Sequence, residues 1–288
     1  MSKQDSIRDT HIYENPGFRK LTDILQKMDS VLLAFSGGVD STLLLKAAHM
    51  AVKGRVLAVT SSSLTTPRQE LENAKKLAEL IGTDHRTVET EEMKNHNFRS
   101  NPPDRCYYCK KELFTKLKVI AHDEGINYVL DGANADDRGD FRPGMRASQE
   151  LSVRSPLLEA NLGKAEIREL SRLLDLPTWD KPATPCLSSR FPYGREITPE
   201  NLNRVEKAEI FLKGLGLKDF RVRDYGESAR LELLPKDMAF VVSDGVREKV
   251  VSHLTSYGYL YVELDLKGLR SGSLNEAIMK KKIMDKGL

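Results

Sequence analysis

The chain has 288 residues, of which 40% are hydrophobic and 30% charged, and it carries a formal net charge of +3 at pH 7. This composition excludes a disordered polymer, and the length suggests two domains with a substantial core. The small net charge excludes a nucleic-acid footprint over the whole surface, and no apolar run approaches a membrane span.

In chain order, residues 1–15 are polar and mixed in charge without an apolar h-region, so no secretory signal is read and a cytoplasmic location is expected. Strand-like runs follow at 31–35, 55–60, 84–89 and 127–131, with helical patterns between them at about 40–52, 67–81 and 107–124. Pro67, behind Thr65-Thr66, reads as a first-turn proline. A further helix is expected at about 163–175, ending at Leu176-Pro177. This alternation predicts an α/β fold, a parallel sheet with helices on both faces. From 178 to 197 the pattern lapses into "TWDKPATPCLSSRFPYGREI", with three prolines and the only tryptophan. It reads as a functional loop joining two domains. Beyond it come a helix at 199–214, strands at 219–224 and 228–234, helices at about 236–256 and a strand at 259–265. These form a small α+β domain, and a short basic helix at about 274–286 ends the chain, with Lys280-Lys281-Lys282 as its exposed face. The expected domains are 1–195 and 196–288, without internal repeats or low-complexity tracts.

The first strand ends in Ser36-Gly37-Gly38-Val39-Asp40-Ser41, and a helix begins near Asp40. Two glycines allow a tight turn and close approach to a ligand, and the unpaired N–H groups of the helix start favour an anion. A Walker A loop would need a lysine that is absent, and the Gly-x-Gly-x-x-Gly dinucleotide fingerprint is absent too. The stretch resembles the PP-loop of ATP pyrophosphatases, of adenine nucleotide alpha hydrolase-like fold. That resemblance implies binding of ATP, cleavage between its α- and β-phosphates and adenylation of a substrate. Ser36, Gly37, Gly38, Asp40 and Ser41 are the candidate ATP and pyrophosphate contacts, and the Ser36 and Ser41 hydroxyls can donate hydrogen bonds to pyrophosphate beside the backbone N–H groups.

Two later stretches agree. Thr60-Ser61-Ser62-Ser63 follows the second strand, where PP-loop enzymes hold adenosine, and Ser61 is taken as a contact. Asp131-Gly132-Ala133-Asn134-Ala135-Asp136-Asp137 resembles a further family segment, with Gly132 and Asn134 as nucleotide contacts. Asp136 or Asp137 can offer oxygen ligands to magnesium. In an open parallel sheet these loops lie at the carboxyl ends of strands, on one edge.

"DRCYYCKKELF" puts Cys106 and Cys109 at the start of a helix, on one face, where the helix terminus lowers thiol pKa. Cys186 follows in "KPATPCLSSRFPYG". An odd count argues against a disulfide framework. A redox pair, a zinc site with a fourth ligand, a cluster on three thiolates and three unrelated buried thiols all stay open on the residues alone.

The PP-loop, "RCYYCK" (105–110), "GKAEIRELSRLLDLP" (163–177) and "KPATPCLSSRFPYGREIT" (182–198) together resemble the LarE family. Its members are sulfur transferases in the biosynthesis of the nickel-pincer nucleotide cofactor of lactate racemase. The resemblance spans most of the chain. It implies that ATP adenylates a carboxylate of pyridinium-3,5-dicarboxylate mononucleotide and that sulfur displaces AMP to give a thiocarboxylate. Some members sacrifice one cysteine, at the position of Cys186. Others add a CxxC pair, and resemblance to them implies a 4Fe–4S cluster on Cys106, Cys109 and Cys186, with an extra sulfide as the donor. Having all three cysteines, the sequence is identified with the cluster type.

A nucleotide substrate needs a second phosphate site. Candidates are Arg190 and Arg195 in the cysteine loop, and Arg221 and Arg223, which alternate along a strand and so share a face. Trp179 can stack on a pyridinium ring or pack at the domain junction. The expected cofactors are ATP, Mg2+ and the cluster; the expected partners are a small nucleotide substrate and further copies of the chain, without membrane or nucleic acid. The rivals are a PP-loop tRNA thiolase, an amidating synthetase and a non-catalytic ATP and metal sensor.

Overall fold

The computed structural model describes residues 12–139, 142–270 and 272–276. The reading of residues 1–11, and of the basic segment from 277 with its three lysines, lies outside them.

Four strands, β1 (Val31–Ala34), β2 (Val56–Ser62), β3 (Asp84–Glu89) and β4 (Tyr128–Leu130), form an all-parallel sheet in the order β3-β2-β1-β4. Side chains alternate across the strands, so Val31 and Leu33 enter one core while Leu32, Leu57 and Val59 enter the other. α1 (Pro16–Leu25), α2 (Val39–Ala51), α3 (Arg68–Ile81) and α8 (Lys164–Leu173) supply residues to the first core. α5 (Arg105–Asp123) and α6 (Gly144–Glu150) supply the second. The sheet is therefore covered on both faces, the α/β architecture expected. Short helices α4 (His96–Arg99) and α7 (Pro156–Ala160) complete this stretch of chain.

Beyond Thr184 a 3-10 turn at Leu187–Arg190 precedes α9 (Pro199–Gly214), whose N-cap Thr198 accepts from the Asn201 N–H. β5 (Phe220–Asp224) pairs antiparallel with β6 (Ser228–Leu233), and β7 (Tyr261–Leu264) pairs parallel with β6. α10 (Pro235–Val242) and α11 (Val246–Ser256) join α9 in covering a core of Leu212, Val222, Leu231 and Leu254.

The chain divides into two units: residues up to Asn95 with Asp104–Thr184, and His96–Pro103 with residues from Pro185 onward. The expected boundary was 195/196. In the second unit Asn101, fully buried at φ +52°, donates to the Phe191 and Pro192 carbonyls at 3.3 and 2.7 Å, and Gly194 N donates back to its own carbonyl at 2.9 Å. These long-range bonds tie the cysteine loop to a segment far from it in sequence.

Several expectations shift. β2 runs on to Ser62, so Ser61 is a strand residue paired with Val88 rather than part of a loop. Pro67 stands at the N-cap of α3, not in its first turn. The 236–256 stretch breaks into two helices at Gly245, which has φ +79°. Helices α1, α4, α6 and α7 were not anticipated, although Asn15-Pro16 is a cap followed by a first-turn proline and Asn15 Oδ1 accepts from Phe18 N at 3.0 Å.

Candidate nucleotide site and the cysteine segments

The chain runs from β1 outward through β2 to β3, then returns to the other side of β1 for β4. The carboxyl end of β1 is thus the switch point of the sheet, where open α/β sheets hold ligands. Ser36–Ser41 lies there. Gly37 adopts φ +66°, and a β-carbon on it would stand 3.2 Å from Ala74 Cα of α3, so the turn tolerates little but glycine. Gly38 is the N-cap of α2, without a side chain to occupy the first-turn N–H groups. The Ser36 and Ser41 hydroxyls lie 3.1 Å apart, and the Ser41 hydroxyl donates to the Gly38 carbonyl at 3.2 Å. The Gly38 N–H in turn donates to Ser36 Oγ at 3.4 Å, so both hydroxyls gather at the start of α2.

The loop after β4 closes against this turn. A β-carbon on Gly132 would lie 3.3 Å from Ser41 N. Asn134 caps a 3-10 turn at Ala135–Asp137, and its Nδ2 donates to Asp40 Oδ1 at 3.2 Å. Asp136 Oδ2 accepts from Lys164 N at 2.8 Å at the start of α8, and Asp137 pairs with Arg142 at 2.9 Å. Asp131, buried below them, accepts from Ser148, Ser155 and Lys110 at 2.8, 2.6 and 3.4 Å. From β2, Thr60 Oγ1 donates to the Phe35 carbonyl at 2.8 Å, with His85 Nε2 at the same distance. Ser36, Gly37, Gly38, Asp40, Ser41, Gly132 and Asn134 thus meet at one edge, with Ser61 on the neighbouring strand. Asp131, Lys164 and Lys181 were not singled out.

Cys106 and Cys109 lie in the first turns of α5, three apart and so on one helical face, the first exposed and the second half-buried. Cys186, half-buried, belongs to the second unit and precedes the 3-10 turn. Among the described residues, neither unit by itself gathers three or more His, Cys, Asp or Glu side chains into a metal site.

In the second unit, Arg190 forks onto Glu209, Nε and Nη2 donating at 2.8 and 2.9 Å, while Nη1 reaches the Pro185 carbonyl at 2.9 Å and the Cys186 carbonyl at 3.4 Å. Arg195 donates from Nε to Asp224 at 2.8 Å, and Arg223, buried, binds Glu232 and Ser273 at 2.8 and 2.7 Å. The pair Arg221 and Arg223, expected to share one anion, is therefore unequal. Arg221 donates to the Arg270 carbonyl at 3.4 Å, and burial, then the like charges of Arg223 and Arg190, hold its pKa below the usual guanidinium range. Trp179 is 43% exposed, so it does not pack in a core.

A parallel sheet whose switch point carries a Ser-Gly-Gly turn defines a nucleotide-binding protein of the PP-loop class. The family model of NAD synthase matches residues 19–108. An uncharacterized protein of Synechocystis is 47% identical over 260 residues, which cover 90% of this chain and 97% of that protein. The pyridinium-3,5-bisthiocarboxylic acid mononucleotide synthase of Lactiplantibacillus plantarum is 39% identical over 263 residues, covering 90% and 94%. An uncharacterized protein of Methanocaldococcus jannaschii is 30% identical over 85% of this chain and 92% of its own length. The chain belongs to the LarE family. No described helix is long and apolar enough to cross a membrane.

Proposed function

We propose that this chain is an ATP-dependent sulfur transferase that converts a carboxylate of pyridinium-3,5-dicarboxylate mononucleotide into a thiocarboxylate for the nickel-pincer cofactor. The observation that carries the reading is the 39% identity, over nearly the whole of both chains, to the synthase named for the bisthiocarboxylic product. The turn at the switch point supports its ATP-dependent half.

A carboxylate cannot expel oxide, and its charge repels a nucleophile. Its oxygen attacks the α-phosphorus of ATP, the bond to the β-phosphate oxygen breaks, and pyrophosphate leaves. Charge grows on that leaving group, so the loop N–H groups and the Ser36 and Ser41 hydroxyls stabilise the transition state. Hydrosulfide then adds to the acyl carbon, AMP departs and the thiocarboxylate remains with release of one proton. Mg2+ takes oxygen ligands and offsets phosphate charge. Asp40 and Asp136 are carboxylates beside the loop, and Asp136 already caps α8.

Cys106, Cys109 and Cys186 are suitable in kind as thiolate ligands of a 4Fe–4S cluster, and two of them share a helical face. That cluster, when bound, would supply the sulfide. Arg190, bonded to the carbonyls of Pro185 and Cys186, fixes the backbone that carries the third thiol. Of the four candidate arginines, Arg221 forms no ion pair among the described residues and is assigned to the substrate phosphate; Arg190, Arg195 and Arg223 are paired with carboxylates. Homo-oligomerisation and a cytoplasmic location belong to the same proposal.

Incubation with MgATP, sulfide and the dicarboxylate mononucleotide tests it. AMP and pyrophosphate in equal amounts, with a product heavier by the replacement of one oxygen by sulfur, are expected. Turnover that requires tRNA instead would move the reading to the thiolase.

A further inference from the structure

The loop Ser36–Ser41 contains no lysine, yet a triphosphate brings several negative charges to it. Two lysines from elsewhere in the first unit close on it. Lys164, the first residue of α8, places Nζ 2.5 Å from Asp40 Oδ2. Lys181 Nζ donates to the Gly37 carbonyl at 3.1 Å and to Glu70 Oε2, in the first turn of α3, at 2.6 Å.

One helix face organises both. Lys164 and Arg168 are four residues apart on α8 and so neighbours on its surface. Arg168 donates from Nη1 to the Trp179 carbonyl at 2.7 Å and from Nη2 to the Lys181 carbonyl at 2.9 Å. The main chain of Lys181 is thus held by one basic residue while its side chain is aimed at the loop. A carboxylate beside a phosphate cradle repels the incoming anion, and here Asp40 and Glu70 are each masked by an ammonium. The Lys164 and Asp40 side chains are 38% and 23% exposed, and those of Lys181 and Glu70 20% and 18%, so a solute can reach both pairs. An ammonium is a compact charge with three donors, able to exchange one oxygen partner for another.

We propose that α8 supplies the cationic half of the phosphate site: Lys164 directly and Lys181 by way of Arg168. Both lysines turn from Asp40 and Glu70 to phosphate oxygens when nucleotide enters. This role rests on the reading of Ser36–Ser41 as the ATP site. Arg168 is a positioning residue, while the two lysines touch the nucleotide.

Calorimetric titration of the full chain with MgATP and with adenosine tests the proposal, using Lys164→Gln, Lys181→Gln, their Arg counterparts, Arg168→Gln and Glu70→Gln. Each Lys→Gln variant is expected to weaken ATP by about tenfold or more and adenosine by less than about twofold. The Arg variants keep most of the ATP affinity, and R168Q loses part of it. Glu70→Gln breaks the same ion pair as K181Q, so the two melt alike without nucleotide, yet E70Q binds ATP as well as wild type or better. Wild-type ATP affinity in both Lys→Gln variants, or an equal loss in E70Q and K181Q, overturns the assignment. Failure of the wild-type chain to bind ATP at all overturns the nucleotide reading, and this role with it.

Discussion

Gly132 stands so near Ser41 that a β-carbon added to it would lie 3.3 Å from the Ser41 main-chain nitrogen. The loop after β4 is therefore a wall of the phosphate turn, at the point where strand order reverses. Gly132→Ala forces turn or wall to shift by a few tenths of an ångström. Sub-ångström misplacement is costly to a preorganised site and cheap to a fold, so ATP affinity should fall by about tenfold while the melting temperature barely moves. Unchanged ATP affinity in calorimetry would show that wall and turn are not coupled.

Arg190 and Arg221 should part company in stability measurements. Arg190 and its partner Glu209 have side chains only 5% and 16% exposed, so Arg190→Met leaves an almost buried carboxylate uncompensated, at a cost of about 3 kcal/mol. Arg221 faces like charges and forms no ion pair among the described residues, so Arg221→Met should be neutral or stabilising. The same change should abolish the preference for the phosphorylated substrate over its nucleoside. Equal denaturation midpoints for the two variants would contradict this division.

His85 sets a pH dependence. Burial, then the nearby charge of Lys75, lowers its pKa from the ordinary value near 6.5, so the fold prefers the neutral ring that meets Thr60. As pH falls below 6.5 the unfolded chain takes up its proton before the folded one. Stability from His85 is therefore full above that pH and lost as pH drops toward its folded value. His49, lowered by burial and then by Lys46, acts with the same sign. His85→Gln should reduce, not remove, the loss of melting temperature between pH 7.5 and 5.5 (approximate bounds around the ordinary histidine pKa). An undiminished loss would sink the assignment.

The central strands and the phosphate turn were legible because their signals are local. Val31–Phe35 is a continuous apolar run, and Ser-Gly-Gly followed by Asp-Ser fits only a turn into a helix. The polar run Thr60–Ser63 reads as a loop and so hides Ser61 in a strand whose pairing with β3 continues to Ser62. The lysines at the loop were not legible, since Lys164 and Lys181 meet Asp40 and Glu70 only after the sheet has brought distant segments together. The fate of the arginines was hidden for the same reason. Alternation along β5 places Arg221 and Arg223 on one face, but only folding shows that Glu232 and Ser273 occupy Arg223.

The thiols carry a separate prediction. Anaerobically purified protein should contain about four irons per chain, lost in Cys109→Ala. Protein without iron, bearing dehydroalanine at position 186 after one turnover, would replace the cluster with sacrificial chemistry and leave the adenylating half intact.

Activation of the carboxylate is the step on which everything downstream depends. Exchange of labelled pyrophosphate into ATP, with and without the pyridinium dicarboxylate mononucleotide, tests it most directly. The expected result is exchange that appears only with that substrate and, at an ATP concentration limiting for the wild type, is weakened in Lys181→Gln and Gly132→Ala. Exchange that ignores the substrate, or requires tRNA in its place, would contradict the account.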